Sequence, residues 1–486
     1  MGRTRCWPSI IIVTLPILSG GFFRFRVRWE RRIGPAEGPF AASGWRLTFS
    51  PRHGWYAFRQ VFKVQRGRFS KQKLNIDPTM PAKTNTLHPQ TRLTLAGQHT
   101  DGAFKSVSLP IYQTAIFRFD DTDGKPQYDY SRSGNPTRAA LEQTIADLEG
   151  GFGAICVASG MAAVATVLAL YNVGSHIVCS HDCYGGTERL LSWYQRQGKL
   201  TVTYADLTDP LNLALALRPE TKAVWVETPS NPLLRVIDLQ KVGDIAEEAG
   251  IDFIVDNTFL SPLLQRPIDF GADFVVHSTT KYLNGHSDVV GGAVIAKTED
   301  GRQRAYFAAN ATGATSAPFD SWLVLRGLKT LPVRLRQHEE NARTVASYLD
   351  NHQQVSRVFY PGLESHEGHE LAKRQQAGFG GMVSFEVKGD AAAVRALLTS
   401  TQVFTLAESL GGVESLIEQP STMSHASMSP AAREDAGITS NIIRLSVGIE
   451  HIDDLIADLE QALETSRCST QPLKAKIKRT ATVSHG

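Results

Sequence analysis

From about residue 138 onward, short apolar runs alternate with stretches in which apolar side chains recur every three or four positions. The runs at 153–159, 176–180, 223–227, 251–256 and 274–277 are largely unbroken, as expected for strands covered on both faces of a sheet. The periodic stretches at 138–150, 161–171 and 239–249 predict helices between them. Such alternation predicts a parallel α/β sheet. A long helical stretch follows at 319–352, interrupted by Pro332, and then the rhythm changes. Strands are expected at 381–388 and 442–447, with helices at 391–398 and 453–463. The chain therefore divides into an arm at 80–137, a large α/β domain at 138–340 and a smaller α+β domain at 341–466.

Each apolar strand ends in polar residues: Ser159-Gly160, Glu227-Thr228, Asp256-Asn257-Thr258 and Ser278-Thr279-Thr280-Lys281. Ligands of such sheets bind beyond the carboxyl ends of the strands, so these residues should converge. A lysine leaving a buried strand loses hydration, which favours its neutral form and Schiff-base chemistry with an aldehyde. Lys281 is equally readable as a surface lysine, with Ser278 and Thr280 beside it as phosphate donors only if a phosphate is there. Asp256 either caps a turn or keeps a pyridine nitrogen protonated. Gly160 and Met161 open a helix whose amides suit a phosphate, although glycine is also needed there for a tight turn. Tyr184, before two glycines, can lie flat on a ring or pack on the core. Arg132, in the loop 130–137, is a phosphate fork or a solvated arginine. Arg444 lies in an apolar strand and should meet a carboxylate of the protein or of a substrate. Taken together, these are the parts of one pyridoxal phosphate site.

Charge sharpens the division. Residues 1–79 hold 15 Lys and Arg against 3 Asp and Glu, leaving 36 against 45 in the rest of a chain whose totals are 51 and 48. A basic head thus precedes an acidic body, and an acidic body argues against nucleic acid as a partner. The apolar stretch 8–18 is too short to span a bilayer, and no membrane association is expected. The head is compatible with a faint signal sequence or an Arg-rich transit segment. An over-extended start before Met80 is the preferred reading, so 1–79 stands outside the catalytic fold and 467–486 is a basic tail. The five cysteines show no CxxC spacing, which favours buried free thiols over a metal site, in the cytoplasm.

Longer motifs carry a resemblance over about 87–463: YSRSGNPTR at 130–138, HDCYGGTERL at 181–190, ETPSNPLL at 227–234, VDNTFLSP at 255–262, HSTTKYLNGHSDVVGG at 277–292, FTLAESLGGVESL at 404–416 and IIRLSVGIE at 442–450. The chain resembles the pyridoxal-phosphate enzymes of transsulfuration, the Cys/Met-metabolism family. That resemblance implies an aspartate-aminotransferase-like fold (fold type I) with a smaller C-terminal domain. It implies Lys281 as the cofactor-bearing base, Asp256 on the ring nitrogen, and Tyr184 on the ring. Gly160, Met161, Ser278 and Thr280 would hold the phosphate, helped by Tyr130 and Arg132 of a neighbouring subunit, with Thr258 also at the cofactor. Asn231, Ser409 and Arg444 would place the cofactor and the amino acid's α-carboxylate. The implied assembly is a homotetramer, a dimer of dimers, acting on small amino acids. Within the family the motifs look most like the cystathionine γ-synthases. Glu408 is typical of γ-acting members, and Arg189 matches the position that holds the distal carboxylate of O-succinylhomoserine. Ser133 departs from a second arginine found there in some bacterial γ-synthases, which leaves γ-lyase and O-acylhomoserine sulfhydrylase activities as alternatives. A scaffold that binds the cofactor without turnover is the remote one.

Overall fold

The computed structural model describes residues 87–469, except His99, Lys125 and Ser427, together with two strands nearer the amino terminus. The chain divides after Met80. In the first unit β1 (Ile10–Pro16) and β2 (Phe22–Arg28) pair antiparallel, with Ile12 opposite Arg26. This strand pair is not among the elements expected from the sequence. Residues 23–28 alternate Phe, Arg, Phe, Arg, Val, Arg, which is the period of an extended strand. The rest of 1–79 and residues 470–486 lie outside the described residues. The start of the expected basic tail is also corrected, because the last helix runs through Ile452–Ser469.

The second unit is built on a seven-stranded sheet. Its strands are β3 (Gly153–Val157), β4 (Ser175–Ser180), β5 (Leu200–Ala205), β6 (Thr221–Glu227), β7 (Asp252–Asp256), β8 (Phe274–His277) and β9 (Gly292–Ala296), in the order β3-β9-β8-β7-β6-β4-β5. All neighbours are parallel except β9, which runs against both β3 and β8. The carboxyl ends of β3, β4, β6, β7 and β8 therefore share one edge. Apolar residues of alternating parity feed one cluster on each face, Val255 and Val275 on one, Ile254 and Val276 on the other. Burial on both faces is why these strands read as unbroken apolar runs.

Local chemistry fixes the helix starts. Asn135 caps the helix Pro136–Glu149 by accepting from the amides of Thr137 and Arg138, proline occupies the first turn, and Gly150 closes it at φ 77°. Ser159 caps Gly160–Leu168 by accepting from the Ala162 amide at 3.0 Å. Glycine at 292 lets β9 pass close beneath that turn, since a Cβ there would stand 2.1 Å from the Ser159 carbonyl oxygen.

A five-stranded sheet follows: β10 (Val355–Phe359), β11 (Met382–Val387), β12 (Thr405–Leu406), β13 (Leu416–Glu418) and β14 (Ile442–Ser446), in the order β10-β11-β14-β13-β12. Its pairs are antiparallel except β12 with β13, and its register sets Ser384, Arg444 and Glu418 side by side. The long helical stretch is two helices, Pro318–Leu328 and Leu331–Asp350, and Pro332 lies in the first turn of the second. Proline there needs no amide partner, so it marks a start and not a kink. That second helix supplies Leu331 and Leu335 to the large-sheet core and Ala342, Val345, Ala346 and Leu349 to the small-sheet core. One rigid element thus joins the two layers that flank the site.

Candidate active site

The shared sheet edge opens into a cavity of about 320 Å³. Of the residues singled out in the sequence, Gly160, Met161, Tyr184, Asn231, Asp256, Thr258, Ser278, Thr280, Lys281, Glu408, Ser409 and Arg444 line it. They come from the ends of β3, β4, β6, β7 and β8 and from the small-sheet layer, which closes the cavity from the other side.

Lys281 leaves β8 by a short turn and donates from Nζ to Ser409 Oγ at 2.8 Å. Burial pushes its pKa down to about 8, and the nearby Arg444 guanidinium adds to the effect, against Glu418 and Glu408. A neutral amine is thus accessible near neutral pH. Ser409 holds a backbone φ of 99°, a strained value for a residue with a side chain, and its carbonyl accepts from Arg444 Nη2 at 2.8 Å. The strain sits where the hydroxyl meets the lysine.

Asp256 ends β7 inside the cavity. Burial raises its pKa, opposed by the amide and hydroxyl of Thr258, which donate to Oδ1 at 3.1 and 2.6 Å. Thr258 Oγ1 in turn accepts from the Ser278 amide at 2.9 Å, tying β7's exit to β8's. Gly160 lies under Ser278: a Cβ at 160 would be 2.7 Å from Ser278 Cβ. The amides at 160 and 161 therefore open a helix directly beside a serine hydroxyl, as an anion cradle requires. Thr280 Oγ1 is engaged with Gly291, donating to its carbonyl at 3.2 Å and accepting from its amide at 3.0 Å. Tyr184, 39% exposed, forms part of the wall, and its amide donates to Glu227 Oε2 at 2.7 Å.

Arg444 is buried at 3% exposure. It meets Glu418 Oε1 at 2.9 Å and Asn231 Oδ1 at 3.0 Å through Nη1, while its buried Nε has no partner among the described residues. Arg444 lines the cavity, and a guanidinium there suits a carboxylate.

Three of the singled-out residues stand elsewhere. Arg132 donates from Nη1 to the carbonyl and the Oδ1 of Asn310, at 2.8 and 3.0 Å, and lies 5.4 Å from the Tyr130 ring centroid. Neither lines this chain's own cavity. Arg189 is exposed on the helix Gly185–Arg196, near enough to oppose the rise that burial gives the Tyr184 hydroxyl, while Glu408 adds to that rise.

Two carboxylates escaped the sequence reading. Glu418 answers the question posed by a buried arginine, and its signal was the next strand of the sheet. Glu227 was noted only as a strand end; burial and the neighbouring Asp256 push its pKa well up. Cys156, Cys179 and Cys183 are buried free thiols, and no group of three or more metal-ligating side chains occurs among the described residues. No described helix is long and apolar enough to cross a membrane.

The sheet order, the lysine at the cavity floor and the carboxylate beside it set the terms for comparison with known proteins. Residues 90–464 match the family described as Cys/Met metabolism PLP-dependent enzyme. The chain is 48% identical over 375 residues to a cystathionine β-lyase of Lactococcus lactis, covering 77% of this chain and 98% of that protein. It is 46% identical over 370 residues to a cystathionine γ-lyase of Bacillus subtilis, covering 76% and 97%. Among solved structures, a cystathionine γ-synthase from Xanthomonas oryzae pv. oryzae, solved with cystathionine, aligns at a TM-score of 0.78 and 50% identity, over 79% of this chain and 99% of that one. Fold and site together define a pyridoxal-phosphate enzyme of fold type I. The chain belongs to the Cys/Met metabolism family, the transsulfuration enzymes that make and cleave cystathionine.

The cavity fits that cofactor. Lys281 would bear it, the amides of Gly160 and Met161 with Ser278 would hold its phosphate, and Asp256 would meet its ring nitrogen.

Proposed function

We propose that this protein catalyses a γ-replacement, joining an O-acyl-L-homoserine, the succinyl ester first, to L-cysteine to give L-cystathionine. The observation that carries the reading is the pair of Glu408 and Tyr184 in the cavity lining, with Arg189 exposed on the helix Gly185–Arg196 that follows Tyr184. Two separate cations, Arg444 in the cavity lining and Arg189 outside it, suit a substrate with carboxylates at both ends.

Bound pyridoxal phosphate supplies an aldehyde for the substrate's amino group and a ring that draws electrons from its α-carbon. Arg444 holds the α-carboxylate, with Asn231 fixing the guanidinium plane. Lys281, with its amine free, would take the α-proton. Its pKa of about 8 suits a base that must both accept and return protons near neutrality. Its flexible stem lets the same Nζ serve the β-carbon, so that the acyloxy group leaves the γ-carbon and cysteine's thiolate adds there. Asp256 would hold a proton at the ring nitrogen. Ser409 receives the lysine between proton transfers, and Tyr184 covers the ring.

Tyr130 and Arg132 complete the phosphate site of a second copy in this reading. Support comes from their absence from this chain's cavity and from the apolar arm around them, with Phe104 91% and Ile116 70% exposed. Apolar surface of that extent calls for cover. The assembly is then a dimer of dimers over 80–466, placed in the cytoplasm.

The identities to a β-lyase and a γ-lyase favour a second reading, cleavage of cystathionine at the same site. A product assay separates them: cystathionine from ester and cysteine supports replacement, whereas 2-oxobutanoate or pyruvate released from cystathionine supports γ- or β-cleavage.

A further inference from the structure

Behind Arg444 lies a chain of polar groups that holds one proton too few. His425 is fully buried, and its Nε2 lies 3.0 Å from the Asn231 carbonyl oxygen. A carbonyl only accepts, so Nε2 carries the proton and Nδ1 of the neutral ring must accept. Ser424 Oγ lies 2.9 Å from that Nδ1 and 2.6 Å from Glu418 Oε1. One hydroxyl proton cannot serve two acceptors. With Glu418 ionised, Ser424 donates to the carboxylate and Nδ1 goes unpaired. With Glu418 protonated, Glu418 donates to Ser424 and Ser424 donates to His425, so each of these two contacts carries a proton, while Glu418 Oε2 has no partner among the described residues in either state.

Charging His425 instead is opposed by burial and by Arg444, which push its pKa down to about 4. Arg433, donating to the His425 carbonyl at 3.4 Å, opposes it too. Glu418 faces Arg444 and Lys281 as cations and Glu408 as an anion, and burial raises its pKa. In the resting site Glu418 neutralises Arg444 at 2.9 Å. A second carboxylate on the same guanidinium would leave one buried negative charge uncompensated, a costly state unless a proton arrives.

We propose that Glu418, Ser424 and His425 form a proton-storing relay, and that a substrate carboxylate docking on Arg444 draws one proton from solvent onto Glu418. The proposal rests on the reading of Arg444 as the carboxylate's partner. No bond beyond O–H is made, and the proton comes from buffer. Glu418 is a positioning residue here: it sets the charge of the guanidinium that meets the substrate.

The test is calorimetric titration of the holoenzyme with butanoate, which has the carboxylate but no amine to react. Running it near pH 8 in two buffers of different ionisation heat reads protons taken up per ligand bound. The relay predicts about one proton for the unaltered protein and about none for Glu418→Gln, with affinity falling about tenfold per pH unit only in the former. Equal uptake in the two overturns the relay. Should Glu418→Gln fail to fold, Ser424→Ala removes the middle link while keeping the ion pair. The pH midpoint of uptake then moves by at least about half a unit, and an unmoved midpoint overturns the relay. Arg444→Lys separates the two ideas: butanoate binding that survives it unchanged sinks the assignment of Arg444, not the relay alone.

Discussion

Replacing Lys281 by methionine should make the cofactor-free protein more stable while ending turnover. Burial, with Arg444, brings this lysine from 10.5 to about 8. At about 1.4 kcal/mol per unit, that difference corresponds to about 3 kcal/mol of destabilisation when both states are protonated. Methionine has similar length and no charge, and it loses the 2.8 Å bond to Ser409, which contributes about 1 kcal/mol. The net expectation is a gain of about 2 kcal/mol near neutral pH. The sign follows from proton counts. Between about 8 and 10.5 the unfolded chain keeps a proton that the folded one has released, so the unaltered protein gains stability as pH rises through that window. The advantage of Lys281→Met should therefore shrink with pH and vanish by about 10.5. Urea unfolding of both cofactor-free proteins, near pH 7 and again near pH 9.5, measures it. A variant no more stable near neutrality, or a gain equal at both pH values, would refute the idea that burial tunes this amine.

Other consequences can be checked independently. Arg444→Met strands Glu418 in the interior and should cost about 3 kcal/mol or more in chemical unfolding, whereas adding Glu418→Met should recover much of the loss. Gly160→Ala puts a methyl 2.7 Å from Ser278 Cβ. Cofactor binding to the apo protein, followed by fluorescence, should weaken at least about tenfold. Arg189→Ala should raise KM for O-succinyl-L-homoserine by about tenfold or more with kcat nearly unchanged, and should leave the O-acetyl ester almost unaffected.

Much of this site was legible because a parallel sheet gathers strand ends, and polar residues that close apolar runs are visible in one dimension. Lys281, Asp256 and Gly160 were found that way, and the structure brings them to one cavity. The motif resemblance added Asn231, Ser409 and Glu408, which no periodicity marks, and all three line the same wall. What escaped depended on pairing across strands. Glu418 faces Arg444 only through the register of β13 with β14, and β13 has just three residues, too few to show a period. The strands β5 and β9 were missed for related reasons: Thr201, Thr203 and half-exposed neighbours blur β5, and β9 begins in a glycine pair that reads as a turn. In the strand pair near the amino terminus, arginines fill every second position of 24–28, so the segment reads as charge before it reads as a strand.

The most direct measurement is a product assay on the purified holoenzyme given O-succinyl-L-homoserine, with and without L-cysteine, alongside cystathionine alone. Cystathionine is expected only when ester and cysteine are both present, with little 2-oxobutanoate or pyruvate from cystathionine itself. Rapid release of either keto acid from cystathionine, with the ester untouched, would contradict it.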